Sequence, residues 1–305
     1  MLRTPIEKRQ KHENHEKIRV ATGNGIVSGK EIKRNWDLYL LTLPVVVYFI
    51  IFKYWPMYGV QIAFKDFIAT KGIWGSPLVG WKHFERFFNS YHFMSLIKNT
   101  LGISIYSLLV GFPIPILLAL MMNEVENKAF KKTVQTVTYA PHFLSTVVLV
   151  GMIISMLSPR TGVVNNFLNH LGMESVYFMG EPGLFKSIYV WSGIWQNMAA
   201  IVDGSSKMQR IRHITIPGIL PTAITLLIMN TGNIMDVGFE KVFLMQNGLN
   251  LTSSEVISTY VYKSGLVDAQ YSFSTAVGLF NSVINFLLLI TVNKISRKTT
   301  ETSLW

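Results

Sequence analysis

The residues of this chain best placed to do chemistry form one polar run. Ala199-Ala200-Ile201-Val202-Asp203-Gly204 leads into a stretch holding Lys207, Arg210, Arg212 and His213, which closes on Ile214-Thr215-Ile216-Pro217. Nothing in it can make or break bonds. Its basic side chains suit recognition, meeting acidic groups on a soluble partner. Gly204 can turn the backbone between two short helices without the steric cost of a positive φ. Pro217 suits the first turn of the helix that follows. Lying between apolar stretches, the run reads as a docking element on the cytoplasmic face of a membrane protein. The alternative is a basic connection that only sets topology. A second set is amide-bearing: Asn230, Asn233, Asn281 and Asn285 stand inside apolar stretches. They suit a pathway for a neutral, hydroxyl-rich solute, or the interhelical hydrogen bonds that such side chains commonly supply. Asn281 and Asn285, four apart, share one helix face.

Other chemistries lack their residues. The seven histidines are scattered, and no two stand four apart on an apolar face beside an acid, so no metal site is expected. No glycine-rich loop ending in Lys-Ser/Thr occurs, so no nucleotide site is expected on this chain. Asp and Glu are almost absent from the apolar stretches, which disfavours an ion-coupled carrier. With no cysteine there is neither a disulfide framework nor thiol chemistry.

These residues need a membrane around them. Half of the 305 residues are hydrophobic and only 15% are charged, against roughly 25% in soluble domains. Mean hydropathy is +0.33. The composition predicts an all-α polytopic membrane protein with about six transmembrane helices. The expected spans are 36–52, 101–123, 134–157, 184–202, 216–235 and 273–292. Pro113 and Pro115 should break the second, and Pro141-His142 the third. The fourth, carrying Lys186, Gln196 and Asn197, is barely long enough to cross. Residues 58–99 read as an extracytoplasmic connection with amphipathic pieces along the membrane, and 236–272 as a second outer segment.

The net charge of +11 is distributed as topology requires. If both termini lie inside, 18 of the 28 Lys and Arg fall in the cytoplasmic tails and short inner loops. That satisfies the positive-inside rule. Without basic patches interleaved with aromatics, nucleic acid is not an expected partner. The domain reading is a basic cytoplasmic tail over 1–34, a membrane domain over 35–298, and a short cytoplasmic tail over 299–305.

The loop spacing resembles the one by which permease subunits of bacterial ABC importers grip their ATPases: Glu-Ala-Ala, three residues, Gly, nine residues, Ile-x-Leu-Pro. Ala199, Ala200, Gly204, Ile214 and Pro217 fall on that pattern, Ile216 stands for Leu, and Met198 stands for Glu. Further stretches are similar to carbohydrate permeases of the polysaccharide or lipoprotein type: Lys33 to Tyr39, Pro56 to Lys65, Thr133 to Thr136, Tyr139 to Phe143, and Ser296 to Trp305. The resemblance implies a type I ABC importer permease-like fold in a bacterial plasma membrane. It also implies a heterodimer with a second permease, two separate ATPase subunits, and an extracellular solute-binding protein that delivers an oligosaccharide. On this reading the chain is not itself an enzyme and holds no cofactor, and Lys207 and Arg210 belong to the docking surface.

One departure stands out. Trp195-Gln196-Asn197-Met198 runs directly into Ala199, where such permeases carry about twenty further residues: the end of a span and the first docking helix. The expectation is weakened coupling to the ATPase. The competing reading is a non-transporting remnant or accessory subunit.

Overall fold

The structure, a computed structural model, describes residues 36–197 and 216–300. The expected N-terminal tail, most of the docking run and residues 301–305 lie outside the described residues. Contacts divide the chain into two units, Met1–Gly59 and Val60–Trp305.

The described part of the first unit is helical. Helix α1 spans Trp36–Phe49, includes Pro44, and continues as a π turn over Ile50–Tyr54 and a short turn over Trp55–Met57. None of its residues is buried. A helix apolar all round suits a lipid solvent.

A 3₁₀ turn, Tyr58–Phe64, carries the chain into the second unit, where α2 (Lys82–Phe88) follows. Helices α3 (His92–Gly111) and α4 (Pro113–Glu124) follow almost without a break. Helix α3 starts nine residues before the expected span because its first turns are tied to protein. The Asn99 amide donates to the carbonyls of Thr252 and Glu255, and Ile257 N–H donates to the Thr100 hydroxyl. Pro113 and Pro115 stand in the first turn of α4, where their missing N–H groups would have no helical partner anyway.

Helix α5 (Lys128–Tyr139) is capped by Asn127, whose side chain accepts from Ala129 and Phe130 N–H. A 3₁₀ turn at Ala140–Phe143 leads to α6 (Thr146–Met156), capped in turn by Ser145. The run Lys128–Phe143 and helix α6 meet at 111°, so the expected third span is a sharply bent pair, breaking at 144–145 just after the turn that holds Pro141. Beyond it lie α7 (Val163–His170), α8 (Pro182–Asn197) and α9 (Ile216–Gly232). The outer segment carries α10 (Phe239–Met245), α11 (Leu251–Ser254) and α12 (Ile257–Tyr262), and the chain closes on α13 (Tyr271–Thr300).

Among the described residues, three helical runs are long and apolar enough to cross a bilayer: Trp36–Phe64, His92–Met122 and Tyr271–Lys298. The bent pair makes a fourth candidate. Helix α8, at 16 residues, reaches only about 24 Å along its described length.

One hydrophobic cluster joins Ile103, Val150, Phe185, Val237, Val242 and Met245, where α3, α6, α8 and α10 meet. A second joins Phe87, Leu96, Met235, Ile257 and Phe273 around the start of α13. Two buried asparagines brace the connections. Asn165 donates to the carbonyls of Leu157, Ser158 and Val176 and accepts from Val176 N–H. Asn250 donates to the carbonyls of Met179 and Met245 and accepts from Asn247 N–H and the Ser254 hydroxyl. Buried polar groups with every partner in place stiffen what they connect.

Candidate functional site

The second unit contains a cavity of about 870 Å³, within the size range of sites for small organic ligands. Its walls follow from the packing of α3, α8 and α9. Helix α3 contributes Ile103, Ser104, Ser107 and Leu108. Helix α8 contributes Tyr189, Gly193, Ile194 and Gln196, and α9 contributes Leu226 and Asn230. The segment after α9 adds Asn233, Asp236 and Gly238, and α10 adds Lys241. The lining is mainly apolar with a few convergent polar groups, the usual make-up of a ligand site. Helices α3 and α8 are held together by a hydrogen bond from the Trp191 indole N–H to the Tyr106 hydroxyl, 3.1 Å.

The four sequence-selected asparagines separate. Asn230 and Asn233 line the cavity. Asn285 instead accepts the Met235 N–H at 2.9 Å and so ties α13 to the segment after α9. Asn281, one turn before it, has a buried amide oxygen with no hydrogen-bond partner among the described residues. Of the docking run, Ala199, Ala200, Gly204, Lys207, Arg210 and Ile214 lie outside the described residues, and Ile216 and Pro217 open α9.

Sequence reasoning treated Lys241 as an outer-loop charge, and the structure gives it a different place. It is only 7% exposed. Its ammonium donates to the Tyr189 carbonyl at 3.0 Å and lies 4.8 Å from the centre of the Tyr189 ring. No carboxylate among the described residues lies within 4.0 Å of it; the ion pairs formed there join Asp66 and Glu255 to other side chains. Burial pushes its pKa down from 10.5 to about 8, because a desolvated ammonium loses its hydration without a counter-charge. Gly193 makes the approach possible: a Cβ there would lie 3.2 Å from the ammonium nitrogen. A sequence signal for Lys241 existed. It stands four before the buried Met245 and so shares the inward face of a short amphipathic helix.

Among the described residues no group of three or more metal-ligating side chains could hold an ion. Long apolar helices, a sharply bent apolar pair and a lined cavity between helices are features that a membrane permease would show. Residues 111–301 match the family described as "Binding-protein-dependent transport system inner membrane component", and the chain belongs to that family. Protein LplB of Bacillus subtilis (strain 168) is 39% identical, covering 92% of this chain and 94% of its own. The polygalacturonan/rhamnogalacturonan transport system permease protein YteP of the same organism is 38% identical over 88% of this chain and 90% of its own. A chain from the crystal structure of a bacterial alginate ABC transporter, in complex with an alginate pentasaccharide-bound periplasmic protein, superposes with a TM-score of 0.80. It is 42% identical, covering 90% of this chain and 99% of that one.

The alignment with Protein LplB runs over 299 residues, whereas 92% of 305 is about 281. About eighteen positions of that alignment therefore face no residue of this chain.

Proposed function

We propose that this chain is a membrane-spanning permease subunit of an ATP-driven importer, moving an oligosaccharide through the cavity between α3, α8 and α9. The observation that carries this reading is the 42% identity, over nine-tenths of the chain, to a subunit of a transporter crystallised with an alginate-loaded periplasmic protein. The names of the relatives add a polygalacturonan/rhamnogalacturonan system. The partners that follow are a second permease, two ATPase subunits and an extracellular solute-binding protein, all in a bacterial plasma membrane. Asn230 and Asn233 stand on the pathway, with amides that can exchange hydrogen bonds with sugar hydroxyls. Ala199, Ala200, Gly204, Lys207, Arg210, Ile214, Ile216 and Pro217 form the ATPase contact. Both termini face the cytoplasm, as the charge distribution favours.

A second reading has its own support. The shortfall of about eighteen positions against Protein LplB is close to the length that the resemblance leads one to expect before Ala199. If the gap falls there, the first docking helix is lost and the subunit no longer responds to ATP.

One experiment separates the two. The chain is co-expressed with its neighbouring permease and ATPase, beside a version with the relative's residues restored before Ala199. Equal recovery of the ATPase by both makes this a working importer subunit. Recovery by the restored version alone makes it an uncoupled one. Recovery by neither removes the importer reading.

A further inference from the structure

A lysine buried without an acid is costly to keep. Lys241 spends one N–H on the Tyr189 carbonyl and faces that residue's ring, and its charge has no carboxylate within 4.0 Å among the described residues. An ammonium carries three donors, so capacity is left toward the cavity that Lys241 lines. Helix α8 leaves space for it at Gly193. The buried asparagine Asn250, bonded to the Met245 carbonyl, pins the end of the short helix that carries it. The position is thus built, and what it lacks is an anion. The other polar groups around the cavity are the neutral Ser104, Ser107, Asn230, Asn233 and Gln196 and the exposed Asp236. They suit sugar hydroxyls, which both donate and accept.

We propose that Lys241 is the site in this pathway that pairs with a carboxylate of the saccharide, and that the transported oligosaccharide is therefore acidic, built from uronate units. This rests on the permease reading above and deepens it. An incoming carboxylate supplies the missing counter-charge and turns a desolvation cost into a charge-assisted hydrogen bond. A neutral sugar in the same place leaves the ammonium uncompensated, so the cavity selects against it.

Among the described residues, the charged and titratable groups near Lys241 are few. Tyr189 comes from α8, Asp236 lines the same cavity, and Glu240 is its exposed neighbour on α10. Helices α3 and α9 bring only neutral side chains to the cavity, α6 has no charged residue, and Tyr262 of α12 is packed on Phe239 and Phe243. Lys241 is the one group in this set that burial brings to about 8. Raising the pH through that value should remove the charge and the preference together.

The test uses the complete complex of both permeases and both ATPases, purified in detergent without the binding protein. Equilibrium dialysis compares a galacturonic acid trimer with a galactose trimer. The wild type should hold the acidic trimer roughly tenfold more tightly at pH 7, since a charged hydrogen bond supplies a factor of that order. The preference should fade above pH 8. Lys241→Met should abolish it, the two trimers then binding alike at every pH, and Lys241→Arg should restore it at pH 7 and hold it above pH 8. Equal binding of the two trimers by the wild type overturns the proposal, as does a preference that survives Lys241→Met or ignores pH. A complex that binds neither trimer overturns the saccharide reading itself. The wild-type pH series decides even if the methionine variant fails to assemble.

Discussion

Lys241 also leaves a mark on stability, independent of any ligand. Its folded pKa of about 8 lies below the ordinary 10.5. Below pH 8 the ammonium is charged in both folded and unfolded chains, and the fold carries the full desolvation cost. Between 8 and 10.5 the unfolded chain binds more protons than the folded one, so stability rises with pH. Above 10.5 the cost is gone. The depression corresponds to at most about 3.5 kcal/mol, at roughly 1.4 kcal/mol per pK unit. Lys241→Met should therefore melt higher than the wild type at pH 7, with the advantage shrinking as pH climbs from 8 toward 10.5. Thermal unfolding in detergent at a series of pH values checks this, and a pH-independent difference would show that the charge is not desolvated. Gly193 adds a geometric test at the same site. A methyl group there meets the ammonium at 3.2 Å, tighter than ordinary contact, so Gly193→Ala should push the lysine head off the Tyr189 carbonyl. That would move the pH dependence while leaving the apolar packing of α8 intact.

At the scale of elements, the membrane asparagines divide between holding helices and facing the cavity. Helices α9 and α13 pack closely: a Cβ on Gly232 would come within 2.5 Å of Leu289 Cδ1. The Asn285 amide bonds the Met235 N–H just past the end of α9. Asn285→Leu strips a buried N–H of its partner and should cost about 1–3 kcal/mol. Asn281→Leu replaces an oxygen that bonds nothing among the described residues, and should be neutral or mildly stabilising. Melting of the two single variants reads the difference directly. If Asn281→Leu abolishes uptake without moving the melting temperature, Asn281 belongs to the pathway despite standing off the cavity lining. Much of this was legible in the sequence. Apolar runs placed α1, α3, α9 and α13, and Pro141 placed the bend between α5 and α6. The separation of Asn230 and Asn233 from Asn281 and Asn285 was not legible. Periodicity assigns a residue to a helix face, but only packing says whether that face meets a cavity or another helix. Lys241 was hidden for the same reason: its inward position depends on α10 folding against α6 and α12.

At the scale of the whole molecule, the open question is vectorial, and the weak fourth stretch decides it. If α8 and the residues after it cross the membrane, both termini lie inside and the segment around Asp268 lies outside. If they do not, the last two crossings invert: Asp268 turns inward and the C-terminus outward, carrying Lys294, Arg297 and Lys298 with it. The positive-inside rule opposes that inverted arrangement, because those three charges would have to be moved across. The chain has no cysteine, so single cysteines can be placed on an otherwise unreactive background. Asp268 is exposed, which makes Asp268→Cys a suitable outer reporter, with His12→Cys and Ser303→Cys as terminal ones. In intact cells a membrane-impermeant maleimide should label Asp268→Cys alone, and the terminal cysteines should react only after permeabilisation. Labelling of Ser303→Cys from outside, with Asp268→Cys protected, would show that the fourth stretch has ceased to span. It would also place the Gly204 to Pro217 run on the outer face, where no ATPase could reach it. The same three variants thus test the topology and set the condition that any coupling to ATP must meet.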